Sequence, residues 1–214
     1  MFLGGLGVGV LTVLDHPLVH AHVAVVRDER TRGAEFRASV AQLAVLLGVE
    51  ATREVPTEDF RLRTPVAEAV GRRVAGEVAL VPVLRAGLGM VEPIQGLLPS
   101  ATVWHLGVYR NEETAEPVHY YDKLPETGPP AMALILDPML ATGGSVELVI
   151  QRLRGWGVRD IRVLSVIASR VGVQRTLEQP DVSVFVAAVD EELNEQNYIV
   201  PGLGDAGDRI FGTG

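Results

Sequence analysis

The sequence predicts an α/β fold, an open, mainly parallel sheet with helices on both faces. Two observations carry this. Short apolar runs, most of them rich in β-branched residues, recur along the chain at the length of buried strands. Between two of them, Val146, Val149, Ile150 and Leu153 repeat at the spacing of one helix face. A strand, a helix and a strand at that spacing form a βαβ unit, and such crossovers join parallel strands.

Taken in order, Phe36, Val40, Leu43 and Leu47 make a first helical stripe, with Gly48 as its expected stop. Residues 57–76 fit either a helix after Thr64-Pro65 or a hairpin with Arg61, Leu62 and Arg63 on one strand. Strands are expected at Val78 to Leu84, Ala101 to Tyr109, Ala131 to Leu136, Ile161 to Ala168 and Val182 to Val189. The helix after the third of these should stop at Gly155.

The chain has 214 residues, and that length suits one domain spanning 1–214. Cysteine is absent, which excludes a disulfide framework, a Cys-based zinc site and a thiol nucleophile. The formal charge of −8 argues against a nucleic-acid partner. Residues 1–14 are apolar and Gly-rich, read as an N-terminal extension: they lack the basic start of a signal peptide and are too short to span a bilayer. No other run reaches about 18 apolar residues. A cytoplasmic protein with no membrane partner is expected. His16, His20 and His22 lie close together, but only Asp15 is near enough to join them, so they are read as structural rather than metal-ligating.

The sharpest chemical signal is Leu134-Ile135-Leu136-Asp137-Pro138-Met139-Leu140-Ala141-Thr142-Gly143-Gly144-Ser145. An apolar strand ends in one acid, and a turn with Thr, two glycines and Ser opens a helix. Backbone N–H groups, two hydroxyls and the helix N-terminus can converge there on a phosphate monoester. Asp137, at the end of a parallel strand, sits where open α/β sheets bind ligands. A carboxylate beside a phosphate suits sugar hydroxyls or a metal-bound water. No Lys follows the glycines, so this is not a Walker A loop. Gly202, Gly204 and Gly207 mimic a dinucleotide fingerprint, but too little chain follows for the helix and distant acid which that motif needs.

The first of these segments resembles the phosphoribosyl diphosphate (PRPP) loop of type I phosphoribosyltransferases. Its single acid before Pro-Met-Leu-Ala-Thr-Gly-Gly-Ser is similar to the uracil phosphoribosyltransferase branch. Three more segments resemble the same family: Val83 to Met90 its pyrophosphate loop, Tyr109 to Thr114 its flexible loop, and Asn197 to Thr213 its uracil-binding tail. The resemblance implies the type I phosphoribosyltransferase fold with a small hood or arm region, a hairpin arm at 57–76 and a uracil-binding tail at 190–214. It implies transfer of a phosphoribosyl group from PRPP to uracil, giving UMP and diphosphate in pyrimidine salvage.

By the same resemblance, Arg85, Arg110 and Asp205 are catalytic. PRPP is held by Arg85, Arg110, Asp137, Pro138, Met139, Leu140, Ala141, Thr142, Gly143, Gly144, Ser145 and Asp205. Uracil is read by backbone near Ile199, Gly204, Asp205 and Ala206. Mg²⁺ is implied as cofactor, bound through PRPP and through water to Asp205, with no direct protein ligand. A homodimer or homotetramer is implied, and a GTP effector occurs in part of the family. Residues 27–37 keep the family's Phe-Arg, at Phe36-Arg37, but carry Gly33-Ala34-Glu35 where a basic residue often stands. The rival reading is a non-catalytic uridine-nucleotide-binding regulator on the same fold.

Overall fold

A computed structural model gives the architecture. It describes residues 9–110, 117–122 and 128–213, with side chains left aside at 106–110 and 117–122. The elements run β1 (Leu11–Val13), α1 (Pro17–Arg27), α2 (Gly33–Ala51), β2 (Thr57–Arg63), β3 (Glu68–Val74), β4 (Val78–Pro82), α3 (Leu88–Leu97), β5 (Thr102–Val103), β6 (Leu106–Arg110), β7 (Pro117–Asp122), β8 (Met132–Leu136), β9 (Met139–Leu140), α4 (Gly144–Trp156), β10 (Asp160–Ser169), α5 (Arg170–Leu177), β11 (Val182–Asp190), β12 (Glu192–Leu193), β13 (Ile199–Val200) and α6 (Ala206–Phe211).

The main sheet is ordered β1-β11-β10-β8-β4-β5, with β9 pairing β10 beyond the end of β8. Every pairing in it is parallel. The apolar runs show why. All five residues of β4 and of β8 are buried, as a strand covered on both faces requires. Alternate residues serve opposite layers. Leu80, Leu134 and Leu136 pack with α1, α2, α3 and α6, whereas Ala79, Val81, Ala133 and Ile135 pack with α4 and α5.

The first helical stripe is the face of α2 against the sheet: Phe36, Val40, Leu43 and Leu47 are all buried. Its expected stop is corrected. Gly48 lies inside α2, and a Cβ there would come within 3.1 Å of the Leu97 side chain, so the residue serves close helix packing. Gly155 likewise does not end α4; Gly157 does, in a left-handed C-cap with φ of 107°. The expected strand at Ala101 to Tyr109 divides. Thr102–Val103 joins the main sheet, while Leu106–Arg110 pairs antiparallel with β7. At that joint Trp104 meets Trp156 of α4 edge to face, ring centres 6.0 Å apart.

Residues 57–76 resolve as a hairpin, β2 against β3. Thr64 makes its turn, accepting from the N–H groups of Val66 and Ala67. Leu11–Val13, within the segment read as an extension, is an edge strand of the main sheet. His16 caps α1 by accepting from the Leu18 N–H at 3.1 Å, ahead of Pro17 at the first helical position. His20 sits 3.2 Å from Asp15, and the His22 ring lies 3.4 Å from the Ser39 hydroxyl. No helix among the described residues is long and apolar enough to cross a membrane.

Leu47→Ala removes a fully buried side chain between α2 and the sheet. It should cost about 2–5 kcal/mol, read as a lower urea midpoint at unchanged slope.

Candidate active site

The chain leaves β4, crosses through α3 to the edge strand β5, and returns to pair on the other side of β4 as β8. The connections after β4 and β8 therefore diverge, α3 to one face and α4 to the other. A crevice between the carboxyl ends of two such strands is where open α/β sheets hold ligands. The loop carrying Arg85 lines one side of it and the loop opened by Asp137 the other. They touch directly, as the Val83 N–H donates to the Leu136 carbonyl at 2.9 Å. Gly87 permits this contact, since a Cβ there would lie 2.2 Å from the same carbonyl.

The loop after β8 is pinned from behind. Met139–Leu140 pairs with Ile167 and Ala168, and the Ile167 N–H donates to the Pro138 carbonyl at 3.0 Å. The Ser169 hydroxyl donates to the Ala141 carbonyl at 2.5 Å and accepts from the Gly172 N–H, capping α5. Gly143 turns left-handed, at φ of 78°, and serves as N-cap of α4 with no side-chain cap bond. The N–H groups that open α4 are thus left to the crevice. Thr142 and Ser145 are half-buried beside them, with Gly144 the first helical residue.

Asp137 is half-buried at the end of β8 and accepts only a long bond, 3.3 Å, from the Met139 N–H. Burial pushes its carboxyl up to about 7, against that single stabilising contact. In an unfolded chain it would titrate near ~4. Its burial therefore costs stability that grows as pH rises between those values, in the manner of a group held for a ligand.

Arg85 is exposed and reaches across to α6. Its guanidinium lies 3.1 Å from the Asp208 carboxylate and 3.4 Å from the Thr213 hydroxyl. The Thr213 hydroxyl donates to Asp208 at 2.6 Å; that bond, with Arg85, holds the Asp208 carboxyl below the usual range. Arg110 is the last residue of β6, and its side chain lies outside the description, as do residues 111–114 of the segment it introduces.

The tail completes the site. Asn194 makes an Asx turn, accepting from the N–H groups of Gln196 and Tyr198. Ile199–Val200 then pairs with Glu192–Leu193. Gly204, Asp205 and Ala206 follow; Asp205 caps α6 by accepting from the Asp208 N–H at 2.8 Å. A cleft of about 480 Å³ lies between this tail and the two loops. Ile199, Gly204, Asp205 and Ala206 line it from the tail side, with Ala86, Met139 and Ala141 opposite. The loop after β8, the sheet-end arginine and the backbone-rich wall are thus drawn together from segments far apart in the chain. Among the described residues no group of three or more His, Asp or Glu could hold a metal ion.

Sequence reasoning missed Ser169, Asp208 and Thr213. Ser169 carried a readable signal, a Ser at a strand end before a helical pattern. Asp208 and Thr213 carried none, because their partner Arg85 lies more than a hundred residues away.

The family model described as uracil phosphoribosyltransferase matches residues 13–213. A protein of Symbiobacterium thermophilum named uracil phosphoribosyltransferase is 50% identical over 205 residues, 95% of this chain and 98% of that one. One of Streptococcus equi subsp. zooepidemicus with the same name is 47% identical over 207 residues, 96% of this chain and 99% of its own. The solved structure of the AQ2163 protein from Aquifex aeolicus superposes with a TM-score of 0.89 at 36% identity, covering 94% of this chain and 97% of that one. With the family model spanning nearly the whole described fold and half the residues shared with such relatives, the chain belongs to the uracil phosphoribosyltransferase family.

Proposed function

We propose that this chain joins uracil to PRPP, releasing diphosphate and giving UMP. The observation that carries the reading is the cleft in which Ala86, next to Arg85, and Met139 and Ala141 of the loop after β8 face the backbone wall at Ile199, Gly204 and Ala206.

The 5′-phosphate sits on Ala141 to Ser145, against the free N–H groups at the start of α4. Asp137, as carboxylate, accepts from the ribose hydroxyls. Diphosphate then lies toward Arg85, and Arg110 joins it from β6. As N1 of uracil gives up its proton to solvent and bonds to C1′, the C1′–oxygen bond breaks and negative charge gathers on the diphosphate. The two guanidiniums stabilise that charge, so they act on the departing group rather than on uracil. The rest of the rate comes from holding N1 against C1′.

Uracil presents an acceptor, a donor and an acceptor along one edge. Backbone N–H and C=O groups of the tail can match that order. Cytosine reverses two of the three, and each unmet buried group costs about 1–3 kcal/mol.

The donor set fits a Mg²⁺ ion carried by substrate, since Mg²⁺ keeps most of its waters and takes one or two carboxylates plus phosphate oxygens. Asp137 and Asp205 are isolated carboxylates on separate elements. Bound through the diphosphate, the ion supplies charge neutralisation, and Asp205 would hold a water of its shell. At the 27–37 segment the surface pocket is lined by Asp28 and Glu35, with Arg30 turned onto Asp28 at 2.6 Å. Two carboxylates make a poor cradle for a triphosphate, so the proposal includes no GTP effector. The β2–β3 hairpin carries exposed Phe60, Val66 and Val70 and suits a contact between copies in a homodimer or an assembly of dimers.

An end-point assay with PRPP, Mg²⁺ and labelled uracil, beside cytosine, hypoxanthine and orotate, should yield UMP from uracil alone. No product from uracil would overturn the proposal. Arg85→Ala should lower kcat by about 10²–10³ with little change in uracil affinity, and an unchanged kcat would remove Arg85 from the step. For Asp137, kcat/KM for PRPP should rise with pH through about 7 and level above it, as the carboxylate forms. Asp137→Asn should abolish that limb and weaken PRPP binding; a limb surviving in the variant would assign it to another group.

A further inference from the structure

The stretch that reads the base has little regular structure of its own, yet backbone recognition tolerates little error. A hydrogen bond weakens steeply once its angle or length leaves a narrow range. Something must therefore hold the peptide planes before Gly204, and the structure contains a device for it. Asp190, the last residue of β11, is only 6% exposed. Arg27, the last residue of α1, meets it with two parallel bonds of 2.6 and 2.8 Å. Between them they take both polar groups of one residue of the tail. The Gly202 N–H donates to Asp190 at 2.9 Å, and the Gly202 carbonyl accepts from Arg27 at 3.0 Å.

The next carbonyl is held as well. Leu203 accepts from Arg209 at 2.7 Å, and the same guanidinium bonds the carbonyls of Val26 and Asp28 while lying 4.2 Å from the centre of the Phe36 ring. Two successive residues ahead of the cleft wall are thus tied to the end of a sheet strand and the end of a helix. Neither Arg27 nor Asp190 lines the cleft. A largely buried ion pair contributes little net stability, since desolvation offsets its attraction. What it fixes here is a position.

We propose that the Arg27–Asp190 pair is the positioning device for pyrimidine recognition, holding the Gly202 peptide so that the wall at Gly204 to Ala206 presents its N–H and C=O groups in register with the base. The inference rests on the base-reading role proposed for the tail. It gives the pair a larger effect on uracil than on PRPP, most of whose groups bind to the loops after β4 and β8 while the wall reaches it only through the Asp205 water.

The test is steady-state kinetics of Arg27→Gln, Arg27→Lys and Asp190→Asn, with melting temperature recorded for each. Arg170→Gln serves as the control, because the exposed Arg170–Glu191 pair next to Asp190 does not touch Gly202. Arg27→Gln should raise KM for uracil by about tenfold or more, the effect of one misplaced hydrogen bond, with KM for PRPP within about twofold. Arg27→Lys, which keeps a cationic donor but loses the fork, should fall between that variant and the wild type. The control should match the wild type. Equal rises in both KM values, or no rise for uracil, would overturn the proposal. If Arg27→Gln does not fold, Arg27→Lys and Asp190→Asn decide by the same criterion. Failure of the parent reading shows separately, as a wild-type chain that makes no UMP. Uracil binding by calorimetry would then replace KM, with selective loss in the variants upholding the device and no binding by the wild type overturning it.

Discussion

The site depends on the parallel pairing of β4, β8 and β10 with both faces covered. Parallel strands bring like ends together, so the loops after β4 and β8 and the cap at Ser169 all emerge at one rim. Burial on both faces also fixes register. A slip of one residue would drive Leu134 and Leu136 into the layer built around Ala133 and Ile135. The distance between Arg85 and the loop after β8 is therefore set by the core. The divergence of α3 and α4 then opens the crevice without any dedicated element.

Much of this was legible in the sequence, because strand period and helix period are local. The runs at β4, β8, β10 and β11 and the stripe on α2 announce themselves by spacing, and the loop from Asp137 to Ser145 by turn chemistry. Places where the reading slipped are places where tertiary contact decided. Gly48 has the look of a helix stop, yet it is buried inside α2 because Leu97 needs the space of a missing side chain. The run from Ala101 is apolar enough for one strand, but only two residues reach the sheet before the chain turns into the β6–β7 pair. Residues 57–76 could be helix or hairpin until Thr64 supplied the turn. The tail could be located but its supports could not, since Arg27 meets Gly202 across 175 positions.

The two halves of the cleft are built on different principles. The side after β8 is a strand-to-helix turn, rigid because of its own backbone pairing and the caps beneath it. The tail side is irregular chain, held by side chains from elsewhere. The net charge is −8, yet the proposed function asks this crevice to hold an anion. Local arrangement resolves the contrast: an arginine at a strand end and the open N–H groups of α4 set the potential where it matters, while most acids lie on the outer surface.

The edge-to-face contact of Trp104 with Trp156 has a practical consequence. The chain holds two tryptophans, and both are in this one contact, where the C-terminal end of α4 meets the joint between the main sheet and the β6–β7 pair. Intrinsic fluorescence of the protein is therefore not an average over the molecule. Its tryptophan emission is a local gauge of how that pair of strands is seated on α4, the helix whose other end opens onto the loop from Asp137 to Ser145.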